Sequence, residues 1–181
     1  MKFKLITFCL ALCTAFSSTA QIEATTDFGK DFLKAWKRHK IYTLQIAEAM
    51  PEAHMSYKPS DEVRSFGEIL IHVTGGNYMF SSISGGQDFP IDRESLKAEG
   101  KSKEEILKML SESFDYAEGI LKTITEADLA KTSPWGNPIE ASTTRSYAEI
   151  LHVMREHAAH HRGQMTVYLR LKGITPPGFI D

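Results

Sequence analysis

Residues 146–173 read SYAEILHVMREHAAHHRGQMTVYLRLKG, and the spacing of their apolar side chains decides the fold class. Tyr147, Leu151, Met154, Ala158, Met165, Tyr168 and Leu169 recur every three or four residues, which is the period of one helix face. Ser146 with Glu149 three residues later forms a capping box, each side chain satisfying an amide that the first turn leaves free. Gly173 and then Pro176-Pro177 stop the helix in the expected order. A helix with one apolar face must bury that face against other elements, so the rest of the chain has to supply partners.

Three further stretches do so. The first runs from Asp27 to Met50, with Phe28, Phe32, Ala35, Trp36, Ile41, Leu44, Ile46 and Ala47 at mostly helical spacing and Pro51 ending the pattern. The second opens on the capping box Ser65-Phe66-Gly67-Glu68, continues to about Ile83 and is stopped by Gly85-Gly86. The third opens on Ser102-Lys103-Glu104-Glu105 and carries Ile106, Leu107, Leu110, Phe114, Ala117 and Leu121. A polar loop with Pro90 separates the second stretch from the third, and residues 131–145, rich in Pro, Gly, Asn and Thr, read as a loop or short hairpin. Four long amphipathic stretches without a strand pattern predict an all-α four-helix bundle. Its two long connecting loops leave room for a topology other than simple up-and-down.

The N-terminus carries a different signal. Lys2 and Lys4 precede an apolar run from Leu5 to Phe16, and Ser17-Ser18-Thr19-Ala20-Gln21 follows. That order predicts a signal peptide over residues 1–20, cut after Ala20, leaving one domain over 21–181. The apolar run falls short of the roughly 20 residues that span a bilayer, so no stable membrane insertion is expected after cleavage. Retention of the leader as an anchor is the alternative. Phe8 and Leu12 stand before Cys9 and Cys13, where a lipid anchor would need a small residue. The expected location is periplasmic or secreted. Both cysteines lie in the leader, so the mature domain has no disulfide, thiolate ligand or cysteine nucleophile. Removing Lys2 and Lys4 takes the 21 basic residues to 19 against 23 acidic ones, and the net charge from −2 to −4. A mildly acidic chain without a basic block offers no footprint for nucleic acid. The expected partner is a small-molecule substrate, with a homodimer left open.

Chemistry must therefore come from histidines, carboxylates, hydroxyls or a bound ion. Of seven histidines, His157, His160 and His161 crowd the last helix. At about 100° per residue, positions four apart differ by only about 40°, so His157 and His161 share a face. His161 falls inside the apolar stripe, His157 on its flank, His160 further out and His152 on the far side. An inward pair at this spacing can grip one ion, or the two rings can simply pack. Ala158 stands where a zincin would place its general-base glutamate, and Glu156 points elsewhere, which argues against a thermolysin-type mechanism. Any third ligand must come from another helix. His72 is the candidate, at the edge of the second stripe formed by Phe66, Ile69, Leu70, Val73 and Phe80. Gly75-Gly76 follow it, each costing about 1 kcal/mol in a helix interior relative to Ala, a cost that close helix approach or space beside a site would explain. His39 and His54 have no partner at useful spacing and read as surface residues. Glu149 and His152 make a single E-x-x-H, whereas a di-iron bundle needs two.

Glu68-Ile69-Leu70-Ile71-His72-Val73, Glu156-His157-Ala158-Ala159-His160-His161-Arg162-Gly163-Gln164 and the exit Tyr168 to Pro177 together resemble the DinB-like (YfiT-like) family over essentially the whole mature chain. The H-x-x-x-H-R-G-Q signature is its more specific part. The resemblance implies an up-down-down-up bundle holding one divalent metal, Zn, Ni, Mn or Fe, through His72, His157 and His161. It also implies a metal-dependent hydrolase or transferase acting on a small molecule, the alternative being a non-catalytic metal- or ligand-binding bundle. The family includes thiol-dependent S-transferases, but low-molecular-weight thiols are mainly cytosolic, and a leader counts against that role. Three neutral imidazoles leave at least one coordination position open, the arrangement in which zinc lowers a water's pKa to about 7. Glu68 is expected to serve its capping box or to orient His72, Arg162 to hold the structure, Gly163 to allow close packing, and Gln164, Trp135 and Phe89 to wall the site.

Overall fold

A computed structural model describes residues 26–135 and 143–180; the leader reading lies outside them. Helix α1 spans Asp27–Ala49, α2 Phe66–Gly85, α3 Lys103–Thr123, the single turn α4 Glu126–Leu129, and α5 Tyr147–Leu171. Each long helix begins where its cap dictates. Thr26 Oγ1 accepts from Gly29 N at 2.8 Å, and Ser65, Ser102 and Ser146 each make both halves of a capping box. Thr125 and Asp128 make another at α4. Gly86, at φ 61°, closes α2 in the left-handed conformation that a residue with a Cβ rarely adopts.

Named contacts fix the directions. Gly67 at the start of α2 lies beside Ile106 at the start of α3, and Gly85 at the end of α2 lies against Ile120 near the end of α3, so these two helices run parallel. Phe66 meets Tyr168, and Ser84 Oγ donates to the Tyr147 carbonyl, so α5 runs antiparallel to α2. On the other side, Phe28 meets His152 and Arg162 reaches His39, so α1 and α5 are parallel. Lys103 reaches the Glu48 carbonyl and Trp36 donates to the Phe114 carbonyl, so α3 opposes α1. The result is the up-down-down-up four-helix bundle expected from the resemblance. Parallel neighbours cannot be joined by a tight turn, and residues 86–102 run back along the bundle to connect α2 with α3.

The core is formed where the four stripes meet, with Trp36, Ile46, Phe66, Leu70, Leu110, Phe114, Leu151 and Met154 almost wholly buried. Burial of side chains of this size stabilises the fold by about 1.5–3 kcal/mol each. Helix α2 lies between α3 and α5 and is buried nearly all round. Its polar interior residues turn to protein partners. Thr74 Oγ1 donates to the Leu70 carbonyl at 2.9 Å, and Asn77 Nδ2 donates to Ser113 Oγ at 3.1 Å.

The α1 stripe differs from the expected one. Ile41 is half exposed and Leu44 only partly covered, while Tyr42 and Thr43 turn inward. Of residues 131–145, the described ones carry two short paired strands, the hairpin alternative. Strand β1, Thr132–Trp135, pairs antiparallel with β2, Thr143–Ser146, matching Thr132 with Ser146 and Trp135 with Thr143. Trp135 stacks on Phe80 of α2 with ring centroids 5.7 Å apart, which ties the hairpin to the bundle. No helix among the described residues is long and apolar enough to cross a membrane.

Candidate metal centre

His72 enters the centre from α2, and His157 and His161 from α5. The antiparallel packing of these helices brings one nitrogen of each ring within 4.8 Å of the others. It is the only such group of three metal-capable side chains among the described residues. His161 is 7% exposed and sits in the α5 stripe beside Ala158 and Met165, and His157 is half-buried on its flank.

Helix approach here depends on Gly76. A Cβ at that position would stand 2.5 Å from Cε1 and 2.8 Å from Nδ1 of His157, so the ring lies in the space a side chain would fill. The neighbouring Gly75 faces Leu96, whose Cδ1 would lie 3.2 Å from a Cβ. The helix-interior cost of the two glycines therefore has a physical reason, and the Gly76 part of it belongs to the site.

His157 Nε2 and His72 Nε2 are 3.0 Å apart. Two lone pairs that close need a proton or a cation between them. Nitrogens bound about 2.0–2.1 Å from one ion, at angles between square and tetrahedral, lie about 2.8–3.4 Å apart, so the His72–His157 separation fits a shared ion. His161 Nδ1 donates to Gln164 Oε1 at 2.8 Å, which fixes its tautomer and leaves Nε2 for the centre. Gln164 Nε2 in turn donates to the exposed His160 at 3.1 Å. His157 Nδ1 is buried without a hydrogen-bond partner among the described residues, so the His157 ring is held by packing against Gly76 and Phe80 instead.

All three imidazoles are shifted toward the neutral form that a metal requires. Burial, chiefly, lowers His72 to about 4, helped by the Arg64 and His161 charges. Burial lowers His157 to about 3, with His161 and His72 adding to it. Burial also lowers His161, while its bond to Gln164 opposes the shift. The donor set thus fits a borderline divalent ion bound by nitrogen.

A groove of about 1190 Å³ opens beside the triad and is lined by His72, His157, Gln164, Gly76 and Phe89 among others. Phe89 and Gln164 are therefore wall residues as expected, whereas Trp135 is not and instead supports Phe80 from behind. Glu68 serves its capping box, accepting from Ser65 N at 2.6 Å, and pairs with Lys58 at 3.4 Å. Arg162 holds the α1–α5 side, donating to His39 Nδ1 at 3.0 Å and lying 4.9 Å over the Tyr42 ring. His39 is consequently not a free surface residue. It stacks on Trp36, and burial together with the Arg162 charge lowers its pKa to about 4. Spacing along α1 could not show this, because its partner lies 123 residues away. Gly163 does not serve close packing either, since a Cβ there would meet nothing within 4 Å.

The DinB family model matches residues 23–180. The chain is 28% identical over 143 residues to the uncharacterized protein YjoA of Bacillus subtilis (strain 168), covering 76% of this chain and 86% of that protein. The crystal structure of the DinB-like protein YjoA from Bacillus subtilis superposes with a TM-score of 0.65 at 24% identity, over 82% of this chain and 96% of that one. A DinB-like protein from Bacillus cereus ATCC 10987 superposes equally well, with a TM-score of 0.65 at 20% identity over 82% and 95% of the two chains.

Proposed function

The chain belongs to the DinB family, and from that premise we propose that it is an exported protein holding one divalent metal through His72, His157 and His161, and that it acts on a small molecule as a metal-dependent hydrolase or transferase. The observation that carries this reading is the convergence of three imidazole nitrogens within 4.8 Å beside an open groove. A non-catalytic holder would be expected to close the ligand set with a fourth side chain, and the described residues bring only three metal-capable groups together.

The protein's own residues have defined tasks in this scheme. His161 presents Nε2 because Gln164 holds the proton on Nδ1. His72 and His157 present their Nε2 atoms to each other, and burial keeps both rings neutral at ordinary pH. Gly76 makes room for the His157 ring, and the groove admits a ligand to the His72 and His157 side of the centre. A divalent ion bound there supplies Lewis acidity, which polarises a carbonyl or acidifies a water or thiol. Export rests on the leader over residues 1–20; a mature N-terminus at Gln21, read by N-terminal sequencing of the protein from its native envelope, tests it.

Metal analysis of the chain from Gln21 onward tests the centre. About one divalent ion per chain is expected, falling below a tenth of that in His161→Ala. Full metal retention by the variant would remove the assignment.

A further inference from the structure

The groove wall beside the centre contains a cation that makes no ion pair among the described residues, although Asp61, Glu62, Glu68 and Glu99 line the same groove. Four basic side chains, Lys58, Arg64, Arg93 and Lys97, line the groove. Three are engaged: Lys58 pairs with Glu68 at 3.4 Å, Lys97 with Glu94 at 3.6 Å, and Arg93 lies 4.0 Å over the Phe89 ring. The Arg64 guanidinium has no ion pair, hydrogen bond or ring partner among the described residues.

Arg64 is nevertheless fixed at its base. Its carbonyl accepts from Tyr168 Oη at 2.8 Å, and the next residue, Ser65, is locked into the capping box of α2. The backbone of an otherwise exposed side chain is thus held on both sides, by α5 and by α2. Arg64 also stands close enough to the centre for its charge to act on all three imidazoles. A guanidinium tethered by its backbone close to a dication site repels that ion unless an anion lies between them. The planar fork of an arginine matches a carboxylate through two parallel hydrogen bonds. The rest of the wall suits an apolar body, with Ile71, Met79, Leu96 and the exposed Val63 and Val167 facing the same groove.

We propose that Arg64 binds the substrate's carboxylate, so that the small molecule is an apolar monoanion whose reacting end faces His72, His157 and His161 while its charged end is held by the guanidinium. This rests on the metal-centre reading for the reacting end only. Arg64 is the specificity-determining residue and not a ligand of the ion.

The probes are two matched sets of hydroxamates, which grip an open metal position through two oxygens. One set is the monohydroxamates of succinic, glutaric and adipic acids, ending in a carboxylate, and the other is the corresponding neutral amides. Both are titrated calorimetrically into metal-loaded and metal-free protein, wild type and Arg64→Gln. At one chain length or more, the carboxylate is expected to bind the loaded protein at least tenfold tighter than its amide. Arg64→Gln is expected to erase that preference while leaving metal content and amide affinity unchanged, and Arg64→Lys to restore part of it. A carboxylate preference that is absent in both forms of the wild type, or that survives in Arg64→Gln, overturns the proposal. The metal reading fails separately. If the protein takes up no metal, an Arg64-dependent carboxylate preference in the metal-free titration still supports the anion site. Tight hydroxamate binding without a carboxylate preference supports the metal centre and refutes the role of Arg64.

Discussion

At the residue scale, the site depends on one missing methyl group and one side-chain amide. Gly76→Ala gains about 1 kcal/mol of helix propensity, yet its Cβ would lie 2.5 Å from His157 Cε1. The obstructing atoms are the far end of a side chain, so the ring can swing away and the fold survives. Swinging away takes His157 off the centre. The expected result is a melting temperature within a few degrees of wild type and a metal affinity at least tenfold weaker by competition with a chelator; wild-type affinity would show that the ring's place over Gly76 is immaterial. Gln164→Ala removes the acceptor at 2.8 Å from His161 Nδ1. Loss of such a partner costs about 10–100-fold in metal affinity, and Gln164→Glu, which keeps an acceptor, should recover most of it. His157 and His161 were legible in the sequence because helical spacing alone puts them on one face. His72 was less so, since its place beside them depends on the packing of α2 against α5, which no local pattern encodes. The reason for Gly76 was half legible: the cost showed in the helix, while the ring that makes it necessary lies 81 positions along the chain.

At the element scale, helix ends are more legible in the sequence than helix faces. Ser65, Ser102 and Ser146 each cap the helix they were expected to start, because the capping box is a local hydrogen-bond pattern with a fixed four-residue signature. Ser65→Ala should lower stability by about 1 kcal/mol. Ser65 also directly follows Arg64, so the same variant should loosen the groove wall, read as faster amide exchange at Phe66 and Glu68 than at the equivalent positions of α3. Equal exchange in both helices would separate the cap from the wall. Faces were harder. Ile41 fits a helical period but points away from the core, and Leu44 packs only at its edge, because α1 is covered only on the sides that meet α3 and α5. Apolar character marks Ile41 and Leu44 for burial, whereas the hydroxyls of Tyr42 and Thr43 mask two residues that the bundle buries. The β1–β2 hairpin was only an alternative in the sequence, since four-residue strands containing Pro134 and Arg145 show no clean alternation. Its pairing is secured by Trp135 stacking on Phe80, a contact between distant segments.

At the scale of the whole molecule, the bundle buries four histidines' worth of chemistry that acid must disturb. Parallel α2 and α3, with α5 antiparallel to α2, enclose the triad between α2 and α5, and the same packing encloses His39 between α1 and α5. His72 and His39 are lowered to about 4 and His157 to about 3, each mainly by burial. The unfolded chain takes up these protons near the ordinary value of about 6.5. Between that value and the folded pKa values the unfolded state therefore binds more protons, and stability rises with pH across the interval. The contribution is complete above about pH 6.5 and is lost as pH falls toward 4 and then 3. The melting temperature of the metal-free protein should thus be level from pH 8 to 7 and decline steadily from about 6.5 to 4. His39→Gln should flatten part of that decline, because it removes the one group of the four outside the centre. Metal changes the curve in a defined way. It binds only the neutral rings, and the folded pKa values keep them neutral well below 6.5, so metal should remain bound at pH 5.5 and be released nearer pH 4. At an ion concentration 100 times the dissociation constant, the bound form gains about 2.7 kcal/mol over the metal-free one. Melting curves with and without the ion should therefore stay parallel from pH 8 to about 5 and converge below it. Convergence already at pH 6.5 would mean that the three imidazoles titrate as exposed histidines do, and that the bundle does not shield them.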